Sequence, residues 1–194
     1  MVRVPLPMQM GGKDIGSWEN DLLNGYATLY NEFGTILQEG IFKDDVFQYA
    51  QKKESGDFNK GLTAAQNGDF ATALKEWKPL AEEGDAGAQY NLGFIYQNGE
   101  GVPQDYKKAV RWWRLAAEHG DAESQHNLAN RYYYGEGVAR DIVYAHMWKN
   151  LAFSNGFKPA KEHLKMFGQE MTSSQIETAQ KLATECVKKN YKGC

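Results

Sequence analysis

The chain has 194 residues, 42% hydrophobic and 24% charged, with a formal net charge of −3. That composition belongs to an ordinary folded domain, and so small a net charge supplies no field for gathering nucleic acid or an anionic membrane. No run of 18 apolar residues occurs, which excludes membrane insertion through a spanning helix.

Residues 1–16, MVRVPLPMQMGGKDIG, hold two Pro and three Gly without periodicity and read as a flexible N-terminus. They are too polar and interrupted for a secretory signal. The chain as written is therefore expected to be cytoplasmic, or a mature form, or one whose leader has been replaced. From Ser17, a candidate cap, Trp18, Leu22, Tyr26, Leu29, Phe33 and Leu37 recur at helical steps, and Gly40 ends the pattern. Ile41, Phe42, Val46, Phe47 and Ala50 predict a second short helix, broken at residues 55–57. Residues 17–56 are thus expected to be non-repeat helices that cap an array.

Residues 57–85 read as a compact helix pair, with Gly61, Ala64, Gly68, Phe70 and Ala73 at tetratricopeptide spacing. Residues 86–121 and 122–156 then repeat each other at an offset of 36. Asn91-Leu92 meets Asn127-Leu128, Gly99-Glu100-Gly101-Val102 meets Gly135-Glu136-Gly137-Val138, and Trp112 meets Trp148. Ala73, Trp77, Ala81 and Gly84 lie 36 before Ala109, Trp113, Ala117 and Gly120. Self-similarity of this period predicts stacked helix pairs. Small residues such as Ala109, Ala116, Ala145 and Ala152 let helices approach to about 8–10 Å. Asp85, Asp105 and Asp121 are candidate N-caps, and Gly84, Gly120 and Gly156 candidate C-terminal stops. Residues 157–194 predict a degenerate pair. Pro159 opens one helix, and Thr172-Ser173-Ser174-Gln175 has the capping-box pattern, with Met171 as a hydrophobic staple. Lys188, Lys189 and Lys192 read as a solvated helix end.

The string NLGFIYQNGEGVPQDYKKAVRWWRLAAEHGD and its second copy closely resemble Sel1-like repeats, the branch of the tetratricopeptide superfamily with a lengthened loop inside each unit. Ala139-Arg140 departs from the family's usual Pro-Gln there. The resemblance covers roughly residues 57–190. It implies an all-α fold, a right-handed superhelical solenoid of antiparallel helix pairs with a concave face. It also implies an adaptor that binds a protein or peptide; many bacterial members are exported or touch host proteins. Carried onto this chain, the inner-face positions are Tyr90, Asn91, Phe94, Gln97, His126, Asn127, Asn130 and Tyr133. Amides there can grip a peptide backbone and aromatic rings supply stiff contact area. The bland alternative is that Asn91 and Asn127 bond only neighbouring backbone and that Phe94 is seam packing.

Chemistry is poorly supported. His119, His126, His146 and His163 form no metal-ligand pattern and read as surface imidazoles, so no metal and no cofactor are expected. Some cysteine-rich Sel1-like proteins are described as β-lactamases or penicillin binders, which motivates an alternative: an exported protein with cell-wall or β-lactam-directed activity. No SxxK, KTG, G-x-S-x-G or P-loop is present, and no catalytic residue is assigned. In those cysteine-rich relatives a Cys pair at this spacing bridges neighbouring helices, which makes Cys186–Cys194 a candidate disulfide and would place the chain in an oxidising compartment, periplasmic or secreted. The other reading is a buried small apolar Cys186 and a free thiol at Cys194. A third functional reading puts the activity in residues 1–56. Partner identity and oligomeric state are not encoded in any of these features.

Overall fold

The structure is a computed structural model in which residues 14–19, 22–30, 36–43 and 46–49 are described as strands and residues 56–194 in full. The chain divides into two compact units, residues 1–54 and 55–194.

The first unit corrects the sequence reading. In place of helices stand four strands, β1 (Asp14–Glu19), β2 (Leu22–Tyr30), β3 (Ile36–Lys43) and β4 (Val46–Tyr49). They form an antiparallel meander in the order β1-β2-β3-β4. Ser17 caps no helix; it lies in β1 opposite Asn24 of β2. Tyr26 pairs with Ile41, and Phe42 with Phe47. Phe33 and Ala50 lie outside the described residues. The helical spacing was misleading because Gly16, Gly25 and Gly40 each disfavour a helix interior by about 1 kcal/mol, while Tyr, Phe, Trp, Ile and Val favour a pleated surface. A shorter repeat carried the true signal: Gly16, Trp18, Asp21 and Leu23 recur 24 residues later as Gly40, Phe42, Asp45 and Phe47. Each copy supplies one hairpin, β1–β2 and β3–β4.

The second unit is all-helical among its described residues, as expected for a solenoid. Its elements are α1 (Phe58–Gln66), α2 (Phe70–Glu82), α3 (Ala86–Asn98), α4 (Tyr106–Ala117), α5 (Ala122–Tyr134), α6 (Ile142–Ser154), α7 (Ala160–Gln169) and α8 (Ser173–Lys188). Each helix packs on the next through α7, and α6 packs on α8 as well. The first six start alike. Asp57, Asp69, Asp85, Asp105, Asp121 and Asp141 each accept a backbone N–H from the first turn, which answers donors that have no partner inside the helix. The capping box at Thr172–Gln175 forms, whereas α7 begins at Pro159 without a side-chain cap.

Two devices set the joint between successive pairs. Gln89 donates from Nε2 to the Ala81 carbonyl at 2.9 Å, and Gln125, 36 residues on, to the Ala117 carbonyl at 3.1 Å. Both glutamines are buried, so these bonds form where water cannot substitute. The second glycine of each loop lies against the start of the preceding pair's second helix. At Gly137, φ is 75°, and a Cβ would stand 2.3 Å from the Tyr106 carbonyl oxygen. Only glycine combines that φ with that approach. Ala73, Trp77, Ala88, Leu92 and Ile95 form one core cluster; Trp113, Leu128, Trp148, Leu151 and Phe167 belong to the next.

The Cys186–Cys194 disulfide is formed, with Cα atoms 5.6 Å apart. It closes a C-terminal turn in which Asn190 and Tyr191 both have positive φ. From that turn Tyr191 donates its hydroxyl to Asn155 Oδ1 at 3.0 Å, and the Gly193 amide lies 3.3 Å from Glu118. The bridge therefore pins the tail back over the α4–α5 junction.

Candidate functional site

The eight positions expected to line a groove lie on α3 and α5, and all eight are half-buried. Their surroundings differ. Asn91 and Asn127 hold equivalent places in consecutive units, and their amides bond to nothing among the described residues. Tyr90 meets Phe94 edge to face at 5.0 Å, and Phe94 meets Trp113 the same way at 5.4 Å. Burial and the neighbouring Glu123 carboxylate push the Tyr90 phenol above its usual range. Gln97 lines an open cavity of about 320 Å³ at the loop end, with Asn98, Gln104, Tyr106, Arg131 and Tyr134. Arg131 is held there by Glu136 and stands over the Tyr106 ring at 5.4 Å. Tyr133 is engaged with α7. It stacks on Phe167 at 4.3 Å and donates to the Glu170 carboxylate, which Arg140 also contacts at 3.3 Å.

The remaining two positions meet a residue that the sequence reading passed over. Trp77 and Trp113 occupy one place in successive units; the third unit puts Lys149 there. Trp77 Nε1 donates to the Phe58 carbonyl at 3.1 Å and Trp113 Nε1 to the Tyr90 carbonyl at 3.2 Å. Lys149 Nζ donates to the matching His126 carbonyl at 3.1 Å. The neighbours change with it. Gly93, Tyr90 and Phe94 of the second unit are replaced by Ala129, His126 and Asn130 in the third. A Cβ on Gly93 would come within 2.2 Å of the Trp113 indole nitrogen. A slimmer lysine removes that conflict, and Ala129 fits.

Lys149 is 0% exposed. Its Nζ lies 2.7 Å from Asn130 Oδ1, and 2.8 Å and 3.3 Å from His126 Nδ1 and Nε2. Asn130 Nδ2 lies 3.3 Å from His126 Nε2. Phe157 and His163 flank the His126 ring at 4.5 Å and 5.1 Å. No carboxylate is in ion-pair contact with Lys149 among the described residues. Burial, with Arg131 nearby, pulls the Lys149 ammonium down to about 7. Burial, then Lys149 and His163, pull His126 down to about 3, so the imidazole is neutral at ordinary pH.

The expectation of surface imidazoles therefore fails at His146, which is 7% exposed, and at His126, which is built into this cluster. The signal that could have exposed Lys149 was the repeat register: the series Trp77, Trp113 continues to Lys149. Among the described residues no group of three or more His, Cys, Asp or Glu could hold a metal ion. No described helix is long and apolar enough to cross a membrane.

The Sel1 repeat family matches residues 86–121 and 122–157. Similar solved structures include two Sel1-type proteins. One is a protective antigen present in uropathogenic Escherichia coli strains that displays an SLR fold, with TM-score 0.64 and 29% identity over 69% of this chain and 30% of that one. The other is a Sel1 repeat protein from Oxalobacter formigenes, with TM-score 0.51 and 25% identity over 56% of this chain and 44% of that one. The chain thus spans less than half the length of either neighbour. No curated protein matches it. Sel1-repeat proteins generally mediate protein–protein interaction and are typically non-catalytic scaffolds. Residues 86–121 and 122–157 are thus two Sel1 repeats, set within the solenoid of α1–α8.

Proposed function

We propose that this protein is an interaction module that takes an extended peptide or a helix along the concave face made by α3 and α5. The observation that carries this reading is the pair of half-buried, unbonded amides at Asn91 and Asn127, set in register by the repeat. An amide offers a donor and an acceptor together, the complement of a peptide unit. Tyr90 and Phe94 beside them offer rigid apolar area. The Cys186–Cys194 bridge favours an oxidising compartment as the place of work.

The test is affinity capture from the native host with the original chain and with a triple variant, Tyr90→Ala, Phe94→Ala and His126→Ala, both verified as folded by circular dichroism. A partner kept by the first and lost by the second upholds the reading. A partner held equally by both moves the site to another face or to the N-terminal sheet.

A further inference from the structure

The third unit exchanges an aromatic cluster for a polar, basic one at a single place. The indole of Trp113 needs one acceptor and finds it in the Tyr90 carbonyl. A lysine inherits that acceptor from His126 and brings further hydrogen-bonding valences, which Asn130 and the His126 ring take up. Asn130 Oδ1 faces Nζ, so the Asn130 N–H₂ is turned toward His126 Nε2.

Donor and acceptor accounting then leaves two states. With a neutral Lys149 amine, Nζ donates to the His126 carbonyl and to Asn130 Oδ1, and its lone pair accepts from Nδ1–H. Nε2 accepts from Asn130, and every group is satisfied. With a Lys149 ammonium, all three of its protons need acceptors, so Nδ1 must accept and the ring proton moves to Nε2. Two donors, Nε2–H and the Asn130 amide, then face each other on the half-exposed side with no acceptor between them. The charge behind them has no counter-ion among the described residues. The other ionised or titratable groups about it are Arg131 on α5, already paired to Glu136, and His163 with Glu162 on α7. α8, packed on α6, brings no charge that acts on Lys149.

We infer that His126 Nε2 and Asn130 Nδ2, backed by the Lys149 amine, form a proton-gated site for a carboxylate of the bound peptide. One carboxylate oxygen accepts from both donors, and the site takes up a proton on Lys149 as the carboxylate enters. This inference deepens, and rests on, the peptide-binding reading of the same face.

The experiment is a histidine and asparagine side-chain NMR titration of the full chain with acetate, with acetamide as the neutral control, at pH 6 and pH 8. A lysine that loses its proton near 7 is about ten parts in eleven charged at pH 6 and one part in eleven at pH 8. Saturable shifts at His126 and Asn130, with affinity about tenfold weaker at pH 8 and none for acetamide, uphold the site. Without ligand, the His126 proton should move from Nε2 to Nδ1 across the same range. Lys149→Met should abolish the acetate response. Asn130→Asp supplies an internal carboxylate and should do the same, which keeps the test open if the first variant does not fold. N-acetylglycine binding more tightly than N-acetylglutamic acid α-amide, in which only the γ-carboxylate is free, would assign a chain-end carboxylate, and the reverse a side chain; either upholds the site. No acetate response at pH 6, or an equal one at pH 8 or with acetamide, overturns it. Acetate failing while the triple variant still loses its partner sinks this site and leaves the peptide reading standing. Acetate binding with the partner unaffected by the triple variant does the opposite.

Discussion

Gly93 and Trp113 are a matched pair: a Cβ on the glycine would stand 2.2 Å from the indole nitrogen, which the Tyr90 carbonyl holds in place at 3.2 Å. Gly61 and Trp77 repeat the arrangement one unit earlier, with a Cβ-to-indole approach of 2.5 Å. Gly93→Ala should therefore destabilise the fold by about 1–3 kcal/mol, the usual range for overpacking, although alanine is the better helix former. Adding Trp113→Leu should recover part of that loss. Urea unfolding of the four combinations measures the coupling, and additive effects would refute the pairing.

Gln125 ties the second unit to the third, with its amide donating to the Ala117 carbonyl and its oxygen accepting from Asn155 Nδ2 at 3.0 Å. Gln125→Leu removes one of two donors to the buried Ala117 carbonyl, which keeps the Gly120 amide, and leaves Asn155 Nδ2 with the Gly120 carbonyl alone, at about 0.5–1.5 kcal/mol. Amide exchange should quicken first around the α4–α5 junction. An unchanged exchange pattern would mean that the joint does not depend on this residue.

Lys149 makes stability depend on pH. Its proton is bound less tightly in the fold, at about 7 against 10.5 in the unfolded chain. Between those values the unfolded chain holds more protons, so stability rises with pH. The gain from pH 7 to pH 9 should be about 2 kcal/mol, and Lys149→Met should flatten it. His126 acts likewise at lower pH: its folded value of about 3 against 6.5 makes stability fall as pH drops from about 6.5 toward 3. Chemical unfolding at stepped pH reads both windows, and a flat profile above pH 7 would rule out a depressed Lys149.

Reduction of Cys186–Cys194 should lower stability by about 2–3 kcal/mol, the chain-entropy expectation for so short a loop. The helical content of α1–α6 should persist, because only the tail contacts of Tyr191 and Gly193 depend on the bridge. Thermal melts with and without reductant, beside Cys194→Ser, give the comparison. Melting that is unchanged by both treatments would show that the bridge adds nothing.

Residues 56–194, expressed alone, should keep the helical circular dichroism and cooperative melting of the second unit, because the chain divides into separate compact units at this point. Loss of cooperative melting in the shortened chain would show that the helical unit needs the N-terminal segment.

The sequence by itself determined the helical array. Aspartate caps, glycine stops and alanines at a fixed period are local or nearest-neighbour signals, and a repeat states them more than once. The expected inner-face positions on α3 and α5 came instead from the family resemblance. Sequence periodicity misassigned residues 14–49, where large residues at three- and four-residue steps satisfy a helix pattern as well as a twisted meander; pairing between strands decided the outcome. The state of the face was likewise settled in three dimensions. Asn91 and Asn130 look alike in sequence, but one amide is unbonded and the other is locked to a buried lysine. Burial and hydrogen-bond partners are set by what neighbouring helices bring to a position, and for Lys149 those neighbours come from α5 and α7, about 20 residues before it and 14 to 18 after it.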